Sequence, residues 1–247
     1  MDADPQVQLR LLDLQELDSG IDRLAARRRA LPELADIERL TARLRELGGD
    51  LDTAESAKNE TARAQARLEA DVENVRSRAV RDQGRLDSGA VSSSRELENL
   101  QSEIASLNRR RDTLEDELLE LMEAAENAAA AAESLNAERE QVQTDRAAAA
   151  ERRDAEWAAI DEDSTQQQSA RAELAPQLPT DLVSLYERIR ASSGGIGAAR
   201  IYRRRCEGCH MELSGGDLSE VIEAPPERVL RHEECRRILI RTEESGL

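Results

Sequence analysis

Cys206 and Cys209 stand in the stretch "RRRCEGCHMEL", two residues apart and followed at once by His210. C-x-x-C-H fits three chemistries: covalent haem attachment, a redox-active dithiol, or half of a metal site. Haem attachment requires export and a large apolar pocket. The chain has no basic and apolar leader, and aromatic residues make up 1% of it. A thioredoxin-like dithiol belongs at a strand-to-helix junction in a βαβ unit, and no such pattern surrounds this pair. A metal site calls for a second pair of soft ligands downstream. "RHEECRR" supplies one, with His232 and Cys235 repeating the spacing of Cys206 and Cys209 after an intervening 22 residues.

Two such knuckles close a tetrahedron of three thiolates and one imidazole, the shape preferred by structural zinc. Cys206, Cys209, His232 and Cys235 are therefore the expected ligands of one Zn2+, and they use all three cysteines of the chain. His210 is the alternative fourth donor. Its adjacency to Cys209 makes joint chelation awkward, so it is expected to cover the site or to face solvent. Four filled positions leave none for water or substrate, so the zinc is expected to be structural. Its binding would contribute on the order of 10 kcal/mol to folding a tail with little core of its own.

Arg203, Arg204 and Arg205 precede the first knuckle, and Arg236, Arg237 and Arg241 follow the second. If the knuckles meet at a metal, these runs converge on a positive patch able to contact phosphates of RNA or DNA. The competing reading is a solvated face paired with Glu207, Glu233 and Glu234. Tyr202 is the only aromatic nearby, so base stacking and sequence specificity would be minimal.

The whole chain of 247 residues carries −17, and from residue 200 onward nine Arg face ten Asp and Glu, so the tail holds only −1 of that. A polyanion repels nucleic acid and anionic membrane, and any anion-binding surface belongs in the tail. No apolar run approaches the ~20 residues of a membrane span, and cytoplasmic residence is expected. Elsewhere there is neither a glycine-rich phosphate loop nor a His for a catalytic triad. The expectation is a protein that is not an enzyme and has no small-molecule substrate.

What positions the tail is a chain rich in Ala, Leu, Glu and Arg, without Phe and with 35% charged residues. That composition with apolar periodicity reads as long helix. A helical stripe runs Leu14, Leu17, Ile21, Leu24 and should break near Pro32. It resumes at Ile37, Leu40, Leu44, Leu47 and Leu51 and again at Leu68, Val72, Val75 and Ala79, three and four apart as in a coiled-coil seam. Gly48 and Gly49 are expected to weaken or bend it. "RLDSGAVSSSRELENL" reads as a hairpin tip near 87–94 with Ser94 as a helix N-cap. From Leu97 to Val142 the alternation returns, with Arg111, Arg139, Arg146 and Arg153 at seam positions, their stems packed and heads in water. Trp157 is expected on the rod surface or in the seam.

The fold class is thus mainly α: an antiparallel coiled-coil hairpin over 1–175, a short amphipathic helix and flexible joint over 176–199, and a zinc ribbon over 200–247. Ile201 with Tyr202, and "RILIR" after Cys235, have the content of short strands.

Three segments carry a resemblance: "SRELENLQSEIASLNRRRDTLEDELLELME", "LPTDLVSLYERIR", and "CEGCHMELS" with "CRRILIR". From about residue 10 to the end, the chain resembles the bacterial coiled-coil proteins with a C-terminal four-cysteine zinc-ribbon domain. The family pattern has a second CxxC where this chain has His232 first. Imidazole is a good zinc ligand too, but the exchange removes one negative charge and should weaken retention slightly. The resemblance implies a non-enzymatic adaptor, a coiled coil for a protein partner bearing a ribbon that contacts nucleic acid or the transcription machinery. Two other readings remain: a purely protein-binding adaptor, and a thiol redox protein using Cys206 and Cys209.

Overall fold

The computed structural model describes residues 1–247. Five helices, α1 (Pro5–Arg29), α2 (Pro32–Asp87), α3 (Ser94–Leu174), α4 (Thr180–Ser192) and α5 (Gly215–Glu223), accompany four short strands. These are β1 (Ala198–Tyr202), β2 (Arg205–Cys206), β3 (Leu230–Arg231) and β4 (Ile238–Ile240). The chain divides into two compact units: residues 35–150, and residues 1–34 together with 151–247. The second unit thus holds α1, the end of α3 beside it, where Arg27 pairs with Glu156 at 2.7 Å and Arg28 with Asp161 at 3.0 Å, and the tail.

Residues 35–150 are an antiparallel helical hairpin. Arg78 pairs with Glu103, and Arg43 pairs with Glu138 at 2.7 Å. Both partners move 35 residues away from the turn, so the register is held without a slip. The turn, residues 88–93, lacks regular structure, and Gly89 adopts φ 69° there, a left-handed conformation open to glycine. Leu40, Leu47 and Ala79 of α2 and Leu100, Leu114, Ala132 and Ala149 of α3 are the buried seam. Alanine at several of these positions gives a thin core with high helix propensity.

Helix α2 runs unbroken through Gly48 and Gly49, where an added Cβ would meet nothing within 4 Å. One sequence expectation fails in this unit. Arg139 and Arg146 are exposed rather than half-sheltered in the seam, whereas Arg111 is half-buried. Val142 and Ala149 carry the seam at that level, and the charged arms go to water.

In the other unit, α1 starts with Pro5 at its first turn and Asp4 as N-cap, whose carboxylate accepts from Gln6 N–H at 2.8 Å. It stops at Ala30, and Pro32 opens α2, where a missing N–H costs nothing. The sheet has the order β2-β1-β4-β3, with β1 and β4 parallel and the outer pairs antiparallel. Because strand side chains alternate, its two faces have different neighbours. Ala198, Ile238 and Ile240 pack with Leu11 and Leu14 of α1 and Leu182, Tyr186 and Ile189 of α4. Ala199, Ile201 and Leu239 pack with Cys206, Leu213, Val221 of α5 and Leu230. The helical side supplies the core that the tail lacks by itself, with each fully buried Leu or Ile worth about 1.5–3 kcal/mol.

Polar side chains fix this packing. Asp18 on α1, 2% exposed, accepts from Tyr186 Oη–H at 2.7 Å and from Arg171 Nε–H at 2.6 Å, with Arg190 Nε 3.6 Å away. Burial and the Asp18 carboxylate both push the Tyr186 phenol up. Gln15 accepts from Gly197 N–H at 2.7 Å and Ala198 N–H at 3.2 Å and donates to the Gly195 carbonyl at 2.9 Å. In the stretch before β1, expected as a flexible joint, Gly195, Gly197 and Ala198 are thereby tied to α1. Gly197 passes so close to Tyr186 that a Cβ there would lie 2.7 Å from its carbonyl oxygen. Trp157 donates from Nε1 to the Arg28 carbonyl at 3.2 Å, and the Arg28 and Arg153 guanidiniums lie over its ring, 4.5 and 4.7 Å from the centroid.

Candidate metal centre

Each knuckle is a tight turn closed by its own backbone. In the first, Cys206 N–H donates to the Met211 carbonyl at 2.9 Å, and His210 N–H donates to the Cys206 carbonyl at 2.7 Å. In the second, His232 N–H donates to the Arg237 carbonyl at 2.9 Å, and Arg236 N–H donates to the His232 carbonyl at 2.8 Å. The residue four past the first ligand is left-handed in both turns, with φ 61° at His210 and 62° at Arg236. His232 thus occupies in the second turn the place that Cys206 occupies in the first. Between the first pair, Gly208 meets the sheet closely: a Cβ would sit 2.5 Å from Arg237 Cδ and 3.0 Å from Ala199 Cβ.

The turns bring together one donor atom from each of Cys206, Cys209, His232 and Cys235, all within 4.8 Å of one another. Cys206 Sγ and Cys235 Sγ are 4.0 Å apart. His232 Nδ1 lies 3.3 Å from Cys209 Sγ and 3.1 Å from Cys235 Sγ. A tetrahedron with Zn–S near ~2.3 Å has S–S edges of about 3.8 Å, so the donor set fits a zinc ion in spacing and in type. Burial, above all, pushes the Cys206 thiol up to about 12. Burial also acts to raise Cys235, but hydrogen bonds from the Arg237 backbone and from His232 outweigh it and bring that thiol down to about 7.

His232 is fully buried with Nδ1 turned to the sulfurs, and its Nε2 has no hydrogen-bond partner. Asp217 Oδ2 lies 3.8 Å from it. Asp217 is the third residue of α5 and forms a capping box with Ser214, its Oδ2 accepting from Ser214 Oγ–H at 2.9 Å. Its Oδ1 accepts from Glu233 N–H at 3.2 Å. The spacing Ser214-x-x-Asp217 is legible in sequence as a helix start; its proximity to His232 is not. His210, the alternative ligand, is exposed and stands outside the donor group.

The six arginines differ in what they touch. Arg241 donates to the carbonyls of Val221, Ala224, Pro225 and Pro226, capping the end of α5. Arg237, half-buried, donates to the Ser193 and Ile196 carbonyls at 2.7 and 3.1 Å. Both guanidiniums are thus engaged by backbone carbonyls. Arg204 and Arg205 are exposed but donate to the Gly246 and His210 carbonyls, and Arg203 lies over the Tyr202 ring at 5.2 Å. Arg236 is exposed. Glu207 pairs with Arg200, a residue outside the expected set.

A helical hairpin joined to a ribbon with a closed four-donor site defines the class: coiled-coil proteins carrying a zinc-ribbon tail. The family model described as a CT398-like coiled coil hairpin domain matches residues 14–194, and that of a C4-type zinc ribbon domain matches residues 205–239. The chain belongs to the CT398-like coiled-coil hairpin family. It is 35% identical to the uncharacterized protein Rv2229c of Mycobacterium tuberculosis, with 98% of each chain covered. To the uncharacterized protein ML1638 of Mycobacterium leprae it is 30% identical, over 91% of this chain and 96% of that one. A solved Mycobacterium smegmatis structure shares 31% identity and a TM-score of 0.84 over 98% of this chain and 100% of that one. CT398 of Chlamydia trachomatis, at 21% identity over 96% and 98% of the two chains, shares the fold with a TM-score of 0.67.

Proposed function

We propose that this protein is a non-enzymatic adaptor of a reducing, cytoplasmic compartment, in which the hairpin holds a protein partner and the zinc ribbon contacts nucleic acid or a nucleic-acid-bound protein. The observation that carries the reading is the closed donor set of Cys206, Cys209, His232 and Cys235. Zinc held there has no free position for a substrate, so its part is to fix the two turns. Those turns and the adjoining β1–β2 hairpin carry the exposed Arg203, Arg204, Arg205 and Arg236, and their exposed positive charge supports contact with phosphates. No helix is long and apolar enough to cross a bilayer.

The second reading, an adaptor that binds only proteins, draws on the engagement of Arg237 and Arg241 with backbone carbonyls, which leaves fewer cations for phosphate. Fluorescence anisotropy with short single-stranded RNA and duplex DNA at low salt separates the two. Binding by the full chain that is lost when Arg203, Arg204, Arg205 and Arg236 are replaced by Ala supports phosphate contact. No binding, or binding indifferent to those replacements, removes the nucleic-acid half. Affinity purification with and without nuclease then identifies the partner class.

A further inference from the structure

The exchange of a cysteine for His232 raises a question of charge and orientation that the four-thiolate form of the ribbon does not face. Four thiolates around Zn2+ leave a net −2, whereas three thiolates and a neutral imidazole leave −1. An imidazole must also be held in one tautomer and one ring orientation, which metal-bound histidines achieve by donating their second N–H to a carboxylate or carbonyl.

In this chain the second nitrogen of His232 is buried and unpartnered, and the group facing it is a carboxylate that is itself 5% exposed. Asp217 reaches the second knuckle twice. Oδ1 accepts from the backbone of Glu233, next to the ligand, and Oδ2 stands 3.8 Å from His232 Nε2, a distance of charge contact though longer than a hydrogen bond. A capping-box acid needs only to reach its own helix start, and such residues are commonly exposed. The burial of Asp217 against His232 goes beyond that need.

We propose that Asp217 is the positioning residue of the metal centre: its carboxylate receives the Nε2–H of His232, keeps Nδ1 turned to the metal, and supplies the negative charge that the fourth cysteine carries in the C4 ribbon. The proposal rests on the zinc reading of the site. Asp217 touches His232 rather than the metal, so removing its charge should weaken zinc binding without removing a ligand.

The test is zinc affinity of the full-length chain, measured by competition with a chromogenic chelator. Asp217→Asn keeps the size and an acceptor oxygen but not the charge, and should weaken zinc about 10–100-fold. In a His232→Cys background, where the fourth thiolate is restored and no imidazole needs orienting, the same substitution should change affinity little. An Asp217→Asn chain with wild-type affinity, or an equal loss in both backgrounds, overturns the inference while leaving the zinc reading intact. A wild-type chain that binds no zinc overturns both.

Should Asp217→Asn fail to fold, the wild-type chain still decides. Nitrogen NMR of the zinc-loaded protein should show the His232 proton on Nε2, exchanging slowly with solvent. A proton on Nδ1, or exchange as fast as that of an exposed imidazole, contradicts the assignment.

Discussion

At the scale of single residues, the metal ligands and the buried acid Asp18 make the sharpest claims. Zinc takes thiolates, so a thiol held up at about 12 must surrender a proton when the ion binds, and affinity must rise with pH. Cys235, near 7, adds one more proton to be displaced only below about pH 7. The slope of log affinity against pH should therefore steepen by one proton as pH falls through 7, which chelator competition across pH 5.5–8.5 (roughly one unit or more on each side of the break) will resolve. Asp18 is a buried anion between Arg171, Arg190 and Tyr186. Asp18→Ala strands those partners and should cost about 3–5 kcal/mol. Tyr186→Phe removes one donor from a buried carboxylate and should cost about 1–3 kcal/mol. Denaturant titration followed by Trp157 fluorescence reads both, because the single tryptophan lies in the same compact unit.

At the scale of elements, the knuckles were legible because their signal is local: a repeated x2 spacing of soft ligands needs no knowledge of the fold. The hairpin was legible from its three-four alternation and its Gly and Ser tip. What the sequence hides is the long-range pairing. Gln15 looks like one more polar residue on α1, and only the fold sets it against the backbone of Gly197 and Ala198. Arg237 and Arg241 look like a phosphate site because charge is visible in sequence, whereas the carbonyls that absorb it lie 15 to 44 residues away. Arg139 and Arg146 fit the heptad count yet are exposed, since periodicity assigns a position to a stripe without fixing how deeply it packs. The pinned segment before β1 yields its own expectation. Gly197→Ala would place a Cβ 2.7 Å from the Tyr186 carbonyl, and backbone cannot yield as a side chain does. A loss of about 1–3 kcal/mol is expected, again by Trp157 fluorescence.

At the scale of the whole molecule, the division into two units bears on what the metal sustains. The helical hairpin of residues 35–150 contains no metal ligand, and the sheet of the tail is also backed by α1 and α4. Chelation of zinc should therefore disturb the ribbon while leaving most of the helical circular dichroism in place, unlike a small zinc finger that unfolds outright. A full collapse of helicity on chelation would mean that the two units do not fold independently of the site.

The central claim is that Cys206, Cys209, His232 and Cys235 hold one structural zinc, with the second histidine rather than the first as the fourth ligand. Metal analysis of the full-length chain purified without added zinc, alongside His232→Ala and His210→Ala, tests it most directly. The account predicts one zinc per chain in the wild type and in His210→Ala, and loss or marked weakening in His232→Ala. A metal-free wild type with freely titrating thiols, or zinc that survives His232→Ala and is lost in His210→Ala, would contradict it.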